Sequence, residues 1–240
     1  MKIIDKLIAK QKKPLEAPPV TIAFLGDSVT QGCFELYKVN EAGFETEFRV
    51  DEGYHTKLRH LLELCYPAAP INMIHAGISG DEAASAVKRV ERDVIAFHPD
   101  LTVVSFGLND ACLGKYEKIG RYEDSLRMLF RKLRESGSEI IFMTPNLMAD
   151  KVSPEVTDEN LRALFERMTP CSEILDDYMD VARRVCAEEN VPLCDCYRKW
   201  DILKKNGVDY IRLLSNRINH PTEEMQMMFA VSLFELIHGM

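Results

Sequence analysis

Thr21-Ile22-Ala23-Phe24-Leu25-Gly26-Asp27-Ser28-Val29-Thr30-Gln31-Gly32 is the stretch that decides the fold. A short apolar run meets a glycine, and small polar residues follow. That is the profile of a buried strand breaking into a turn and then a helix. Apolar runs of the same kind recur at residues 71–76, 101–106, 139–143 and 191–196. Helical patterns lie between them at 53–66, 81–97, 122–136 and 174–190, and a last helix is expected at 222–238. In the helix at 81–97, alanines and valines face inward, and Lys88, Arg89, Glu91 and Arg92 are expected to face out. Strands alternating with helices predict a parallel sheet covered on both faces. Five such units fit an α/β, flavodoxin-like three-layer α/β/α domain with a five-stranded parallel sheet in order 2-1-3-4-5.

The remaining segments are arranged around that frame. Residues 1–11 read as a short amphipathic helix, and residues 12–19, with three prolines, as an extended lead-in. Residues 1–20 then precede a single domain at 21–240. Residues 34–52 and 146–171 read as loops, the second an excursion above the sheet with a short helix at 159–168. The chain has 240 residues, 46% of them hydrophobic, and a net charge of −8. Only Lys10, Lys12 and Lys13 cluster basic charge, so there is no electrostatic footprint for nucleic acid. No apolar run suits a signal peptide or a membrane span. The 7 cysteines form no CxxC pair. They are read as reduced, buried thiols of a cytoplasmic protein, with Cys194 and Cys196 on one face of the fifth strand and no zinc. Oligomeric state is left open.

In a doubly wound sheet, ligands bind beyond the carboxyl ends of the strands. The unusual residues are expected there. Gly26-Asp27-Ser28 follows the first strand, Gly77-Ile78-Ser79-Gly80-Asp81 the second, and Gly107-Leu108-Asn109-Asp110 the third. Asn216-Arg217-Ile218-Asn219-His220-Pro221 precedes the last helix. A serine hydroxyl needs a neighbouring base to become a nucleophile. Ser28 sits where a hydroxyl can be exposed at a turn, and His220 is the candidate base. An oxyanion needs preorganised donors, and the amides of Ser28 and Gly80 with the side-chain amide of Asn109 could supply them. Each residue alone has a plainer account: Ser28 as a helix cap, Gly80 and Asn109 as turn residues, His220 as a loop histidine. Asp27 is read as an Asx-type turn residue. His55, His60, His75, His98 and His238 are assigned no role. Met225, Met228 and Phe229 read as core residues of the last helix, or alternatively as a wall for an acyl chain.

Taken together, these four blocks resemble the GDSL (SGNH) hydrolases. Gly26-Asp27-Ser28 is similar to the family's first block, with the nucleophilic serine. Gly80 and Asn109 fall at its oxyanion positions, and His220-Pro221 at its catalytic histidine. The resemblance spans roughly residues 21–235, in order. It implies a serine esterase or acylhydrolase that uses no metal or cofactor. It further implies short acyl esters, commonly acetyl groups on carbohydrates, with lysophospholipid or thioester cleavage as alternatives. No amphipathic helix offers a basic lipid-binding face, which favours a small soluble ester. A G-x-G-x-x-G, a P-loop and a G-x-S-x-G elbow are all absent.

One position departs from the family. Its last block usually reads Asp-x-x-His, and here Arg217 stands three residues before His220. A non-catalytic binding module on the same fold therefore remains a rival. For a catalytic site, His220 needs another acceptor for its Nδ1 proton. A main-chain carbonyl in the Ser215-to-Ile218 turn is the expected one. Asn216 is less suited, because its amide can present a donor. Arg217 is expected to face solvent or an anionic substrate, and Glu223 and Glu224 to serve the N-terminus of the last helix.

Overall fold

The computed structural model describes residues 1–40, 43–114 and 116–240. In chain order its elements are α1 (Lys2–Lys12), β1 (Val20–Gly26), α2 (Ser28–Gln31), β2 (Cys33–Asn40), β3 (Gly43–Phe48), α3 (Tyr54–Cys65), β4 (Ile71–Gly77) and α4 (Ala83–Asp93). They continue with β5 (Leu101–Ser105), α5 (Leu108–Gly114), α6 (Ile119–Glu135), β6 (Glu139–Met143), α7 (Glu159–Met168), α8 (Cys171–Glu188), β7 (Leu193–Cys194), α9 (Cys196–Lys205) and α10 (Glu223–His238). One parallel sheet runs β4-β1-β5-β6-β7. Counted along its own strands, that is the expected order 2-1-3-4-5. β1 and β5 are buried almost throughout, so they read as continuous apolar runs. On the flanks α3 packs on α10, and α6 packs on α4 and α8. Ile3 and Leu7 of α1 join the same core. The Glu139 carboxylate at the start of β6 accepts the amides of Lys2 and Ile3, satisfying the free N-terminal donors of α1.

Four expectations are corrected. Residues 34–52 are not a loop throughout, because β2 and β3 form an antiparallel hairpin. The fifth strand is only Leu193–Cys194. It stops because the Asp195 side chain accepts the Arg198 amide and starts α9, which the sequence reading missed. Cys196 is therefore helical, although its sulfur still lies 3.7 Å from that of Cys194. Arg89 does not face out; it is buried. None of the seven cysteines forms a disulfide, but Cys65 is exposed at the end of α3 and Cys112 is half-buried. Phe229 is buried, and Met225 and Met228 pack against the core.

The sheet positions α2 by close approach. Gly26 and Gly77 are register partners at the carboxyl ends of β1 and β4. A Cβ on Gly77 would stand 2.6 Å from the Thr30 carbonyl carbon, and one on Gly26 would stand 2.8 Å from Thr30 Cβ. Any larger residue would lift α2, and Ser28 with it. Gly77→Ala is expected to destabilise the protein by ~1–3 kcal/mol, the usual cost of overpacking, and to lower reactivity at Ser28. Urea unfolding beside a rate measurement checks this, and unchanged values in both would contradict it.

Candidate active site

Ser28 is the first residue of α2. Asp27 caps that helix, its Oδ1 accepting the Val29 amide at 3.0 Å. Being first, the Ser28 amide has no intrahelical acceptor. The rest of the short helix is tied down from behind. Thr30 Oγ1 bonds Tyr54 Oη at 2.9 Å, and His75 Nε2 donates to the Thr30 carbonyl at 2.8 Å. His75, assigned no role from sequence, thus braces α2.

His220 enters from the far end of the chain. Asn216 Oδ1 accepts three successive amides, those of Ile218, Asn219 and His220, at 3.1, 3.0 and 2.9 Å. Asn146 Nδ2 donates to the Asn219 carbonyl at 2.8 Å, and the Ala149 amide donates to the Ile218 carbonyl at 2.7 Å. So held, His220 Nε2 lies 3.0 Å from Ser28 Oγ, and its Nδ1 lies 2.9 Å from the Phe34 carbonyl. A carbonyl only accepts, so Nδ1 carries the proton and Nε2 presents its lone pair to the Ser28 hydroxyl.

The acceptor for Nδ1 is therefore a main-chain carbonyl, but it comes from β2 and not from the Ser215-to-Ile218 turn. The turn's Ile218 carbonyl is taken by Ala149. Arg217, at φ 61°, is part-exposed, and its guanidinium is paired. Its Nε donates to Glu155 at 2.7 Å and its Nη1 to the Leu214 carbonyl at 2.6 Å. Glu223 and Glu224 lie in the first turn of α10, as expected.

Gly80 and Asn109 meet on one loop. The Ile78 amide bonds the Gly26 carbonyl at 3.1 Å, and the Ser79 amide bonds Gln31 Oε1 at 2.5 Å. These two bonds hold the Gly77–Gly80 turn against the Ser28 segment. Gly80 has φ 79°, which favours glycine. Asn109 Nδ2 donates one hydrogen to the Asp81 carbonyl at 3.0 Å, leaving the other free. Asp110 Oδ1 accepts the Ala83 amide at 3.0 Å, while its Oδ2 is buried with no partner.

Burial sets the charges. Loss of water pushes His220 down to about 4, against the opposing pull of the Phe34 carbonyl. Burial lifts Asp27 to about 7, helped by the nearby Asp81, with the Val29 amide opposing. It lifts Asp110 to about 8, opposed by the Ala83 amide and helped by Glu82 and Asp27. At neutral pH the imidazole is uncharged and ready to take a proton, and the Asp110 carboxyl is mostly protonated. Among the described residues, no group of three or more His, Cys, Asp or Glu could hold a metal ion.

A model of the GDSL-like lipase/acylhydrolase family matches residues 24–227. An acetylxylan esterase from Geobacillus stearothermophilus is 27% identical over 177 residues, which is 70% of this chain and 72% of that protein. A solved mutant of an acetyl-xylooligosaccharide esterase from the same genus has a TM-score of 0.67 at 24% identity, covering 91% of this chain and 94% of its own. An acetyl xylan esterase, AlAXEase, has a TM-score of 0.67 at 20% identity, covering 91% and 100%. Catalytic mutants of the Geobacillus enzyme include changes at a serine, an aspartate and a histidine, with the aspartate three positions before the histidine. Arg217 holds the corresponding spacing from His220 in this chain. With the family match running over most of its length, the chain belongs to the GDSL-like lipase/acylhydrolase family and is an ester-hydrolysing serine hydrolase.

Proposed function

We propose that the chain removes short acyl groups, chiefly acetyl, from a carbohydrate-derived alcohol through an acyl-Ser28 intermediate. Ser28 is the nucleophile and His220 the base, without a carboxylate behind it. The observation that carries this is the continuous line from Ser28 Oγ through His220 to the Phe34 carbonyl, at 3.0 and 2.9 Å. In the first half-reaction His220 Nε2 takes the hydroxyl proton as Ser28 Oγ attacks the ester carbonyl. The oxyanion is received by the amides of Ser28 and Gly80 and by the free hydrogen of Asn109 Nδ2. Collapse releases the alcohol, which takes the proton back from His220. A water molecule then repeats the sequence and frees acetate. No metal takes part, so EDTA should leave turnover unchanged.

The acetyl preference and the sugar-like alcohol follow the acetylxylan esterase relatives. One feature of this chain supports the second point. A cleft of about 320 Å³ runs between the β2–β3 hairpin and the 146–171 excursion, with Glu35, Asp158, Ser215 and Arg217 around Leu36 and Phe165. Carboxylates and a guanidinium over an apolar floor suit hydroxyl-rich ligands. Glu35 directly follows Phe34, whose carbonyl holds His220, and Asn216, which holds the His220 turn, also lines the cleft. We assign it to the leaving alcohol. The lack of disulfides among the seven cysteines favours the cytoplasm. No helix among the described residues is long and apolar enough to cross a membrane.

Ser28→Ala and His220→Ala are expected to lower kcat/KM on p-nitrophenyl acetate by ~10⁴-fold or more. A fluorophosphonate should label the wild type and not Ser28→Ala; an unlabelled wild type would favour the binding-module rival. Asn216→Ala should also lose activity and stability, since three amides of the His220 turn rest on that side chain. Full activity in that variant would contradict the geometry described. A chain-length series from acetyl to palmitoyl should peak at acetyl, and a maximum at long chains would favour a lysophospholipase.

The pH profile of kcat/KM follows from the buried groups. Only neutral His220 can take the proton, so the acid limb should fall near pH 4. Ionising Asp27 near 7 and Asp110 near 8 adds negative charge beside the developing oxyanion, so activity should decline above that range. An acid limb at the ordinary histidine value of 6.5 would show that water reaches the imidazole.

A further inference from the structure

We propose that Arg89 is the positioning residue of the oxyanion site. It fixes the distance between the turn that carries Ser28 and the loop that carries Gly80 and, through Asp81, sets the direction of the Asn109 amide. This rests on the esterase reading above.

Arg89 projects from α4 with only 8% of its surface exposed. Its Nη2 donates to the Gly26 carbonyl at 3.1 Å, and its Nη1 to the Ala76 carbonyl at 2.9 Å. Its Nε and Nη2 donate to Asp81 Oδ2 at 2.8 and 2.6 Å, and Nη1 reaches Asp93 at 3.3 Å. Gly26 lies two residues before Ser28. Ala76 precedes Gly77, on which α2 rests. Asp81 follows Gly80, and its main-chain carbonyl is the acceptor that orients Asn109. One planar group therefore joins the segments that carry Ser28 and Gly80 and holds the residue whose carbonyl orients Asn109.

A buried ion pair is a poor way to gain stability, because desolvation offsets its attraction. A guanidinium offers something else. Its five donors have fixed relative angles, so it sets the spacing of the acceptors it joins. Oxyanion donors act only within about 2.7–3.1 Å of the developing charge, so a shift of a few tenths of an ångström is costly. The Asp81 carboxylate is held further by the Ser85 hydroxyl and by the Glu82 amide, the latter at 3.0 Å. The positive charge is balanced locally, and geometry is what Arg89 contributes.

The test compares Arg89→Met, Arg89→Lys and Asp81→Asn with the wild type. Arg92→Met serves as a control on the same helix, since Arg92 is 77% exposed. Each protein is titrated for reactive Ser28 with a fluorophosphonate, and kcat and KM are measured per titrated site beside thermal unfolding. Arg89→Met should lose ~10²-fold in kcat with little change in KM, the mark of an interaction made in the transition state. Its rate of phosphonylation should fall in step, and the acid limb of its pH profile should stay in place. Arg89→Lys should recover little, because an ammonium is a point charge with three donors and cannot span the four groups that the planar guanidinium joins. Asp81→Asn keeps the carbonyl that holds Asn109 and should lose ~10-fold. A purely structural Arg89 would lower the unfolding temperature and the fraction of titratable sites, yet leave kcat per site within about threefold of wild type, and that result overturns the proposal. If Arg89→Met does not fold, Asp81→Asn decides by the same threshold. A wild type that never reacts with the probe overturns the esterase reading itself, and the proposal with it.

Discussion

A single turn of helix lies across the ends of β1 and β4, so close that a Cβ on Gly77 would stand 2.6 Å from the Thr30 carbonyl carbon. The site depends on that approach. It brings Ser28 onto the sheet edge with its amide pointing away from the helix, unspent on any intrahelical bond. It also brings the Thr30 carbonyl within reach of His75, and Gln31 within reach of the Ser79 amide. The loop that carries Gly80 is thus built onto α2, and the Ser28 and Gly80 segments belong to one packed unit. A nucleophile on a longer connection would need separate devices to hold each donor.

The same packing decides the electrostatics. Ser28 and His220 are both nearly inaccessible to water. In such a place charge is expensive, and the surroundings of the dyad avoid it. The imidazole is neutral, Asp110 is held protonated at neutral pH, and Asp27 is shifted far from the ordinary carboxylate value. The buried ion pair of Arg89 and Asp81 sits behind the donors, where its charges cancel. In the proposed reaction the oxyanion would form among fixed dipoles that need no rearrangement, the condition under which such dipoles act most strongly.

Much of this was legible in the residues. Apolar runs ending in Gly26, Gly77 and the Phe106-Gly107 step marked the strand ends, and strand ends are where this topology collects its polar groups. What escaped had physical reasons. Cys33 to Phe48 alternates polar and apolar residues only in part, and its charges mask the strand signal. The fifth strand reads longer in sequence than it is because Asp195, a helix cap, stands among apolar residues. Helical periodicity puts Arg89 outside because it assigns a face, not a partner. Its burial depends on Asp81 and on two carbonyls that only the sheet brings near. The acceptor for His220 could be inferred in kind, since only an acceptor fixes the tautomer. Its location could not, because a carbonyl at Phe34 carries no mark in the sequence.

In the proposed reaction that carbonyl does what an aspartate would do at the position of Arg217. A carboxylate behind His220 would have to be stripped of water, the cost that lifts Asp27 to about 7 and Asp110 to about 8. A peptide carbonyl fixes the same tautomer with no net charge to desolvate. Its dipole steadies the imidazolium less than a full charge would. The exchange also makes the hairpin part of the machinery. Phe34 is held under the Arg49 guanidinium, which sits 4.4 Å over its ring, and Arg49 is in turn paired with Glu223 at 3.2 Å and hydrogen-bonded through its amide to Gly32. Glu223 opens the helix that directly follows His220. The hairpin and the histidine are therefore fastened to each other on both sides, by the Nδ1 bond and by the Arg49 pair. The Nδ1 acceptor of His220 is set here by where β2 carries Phe34.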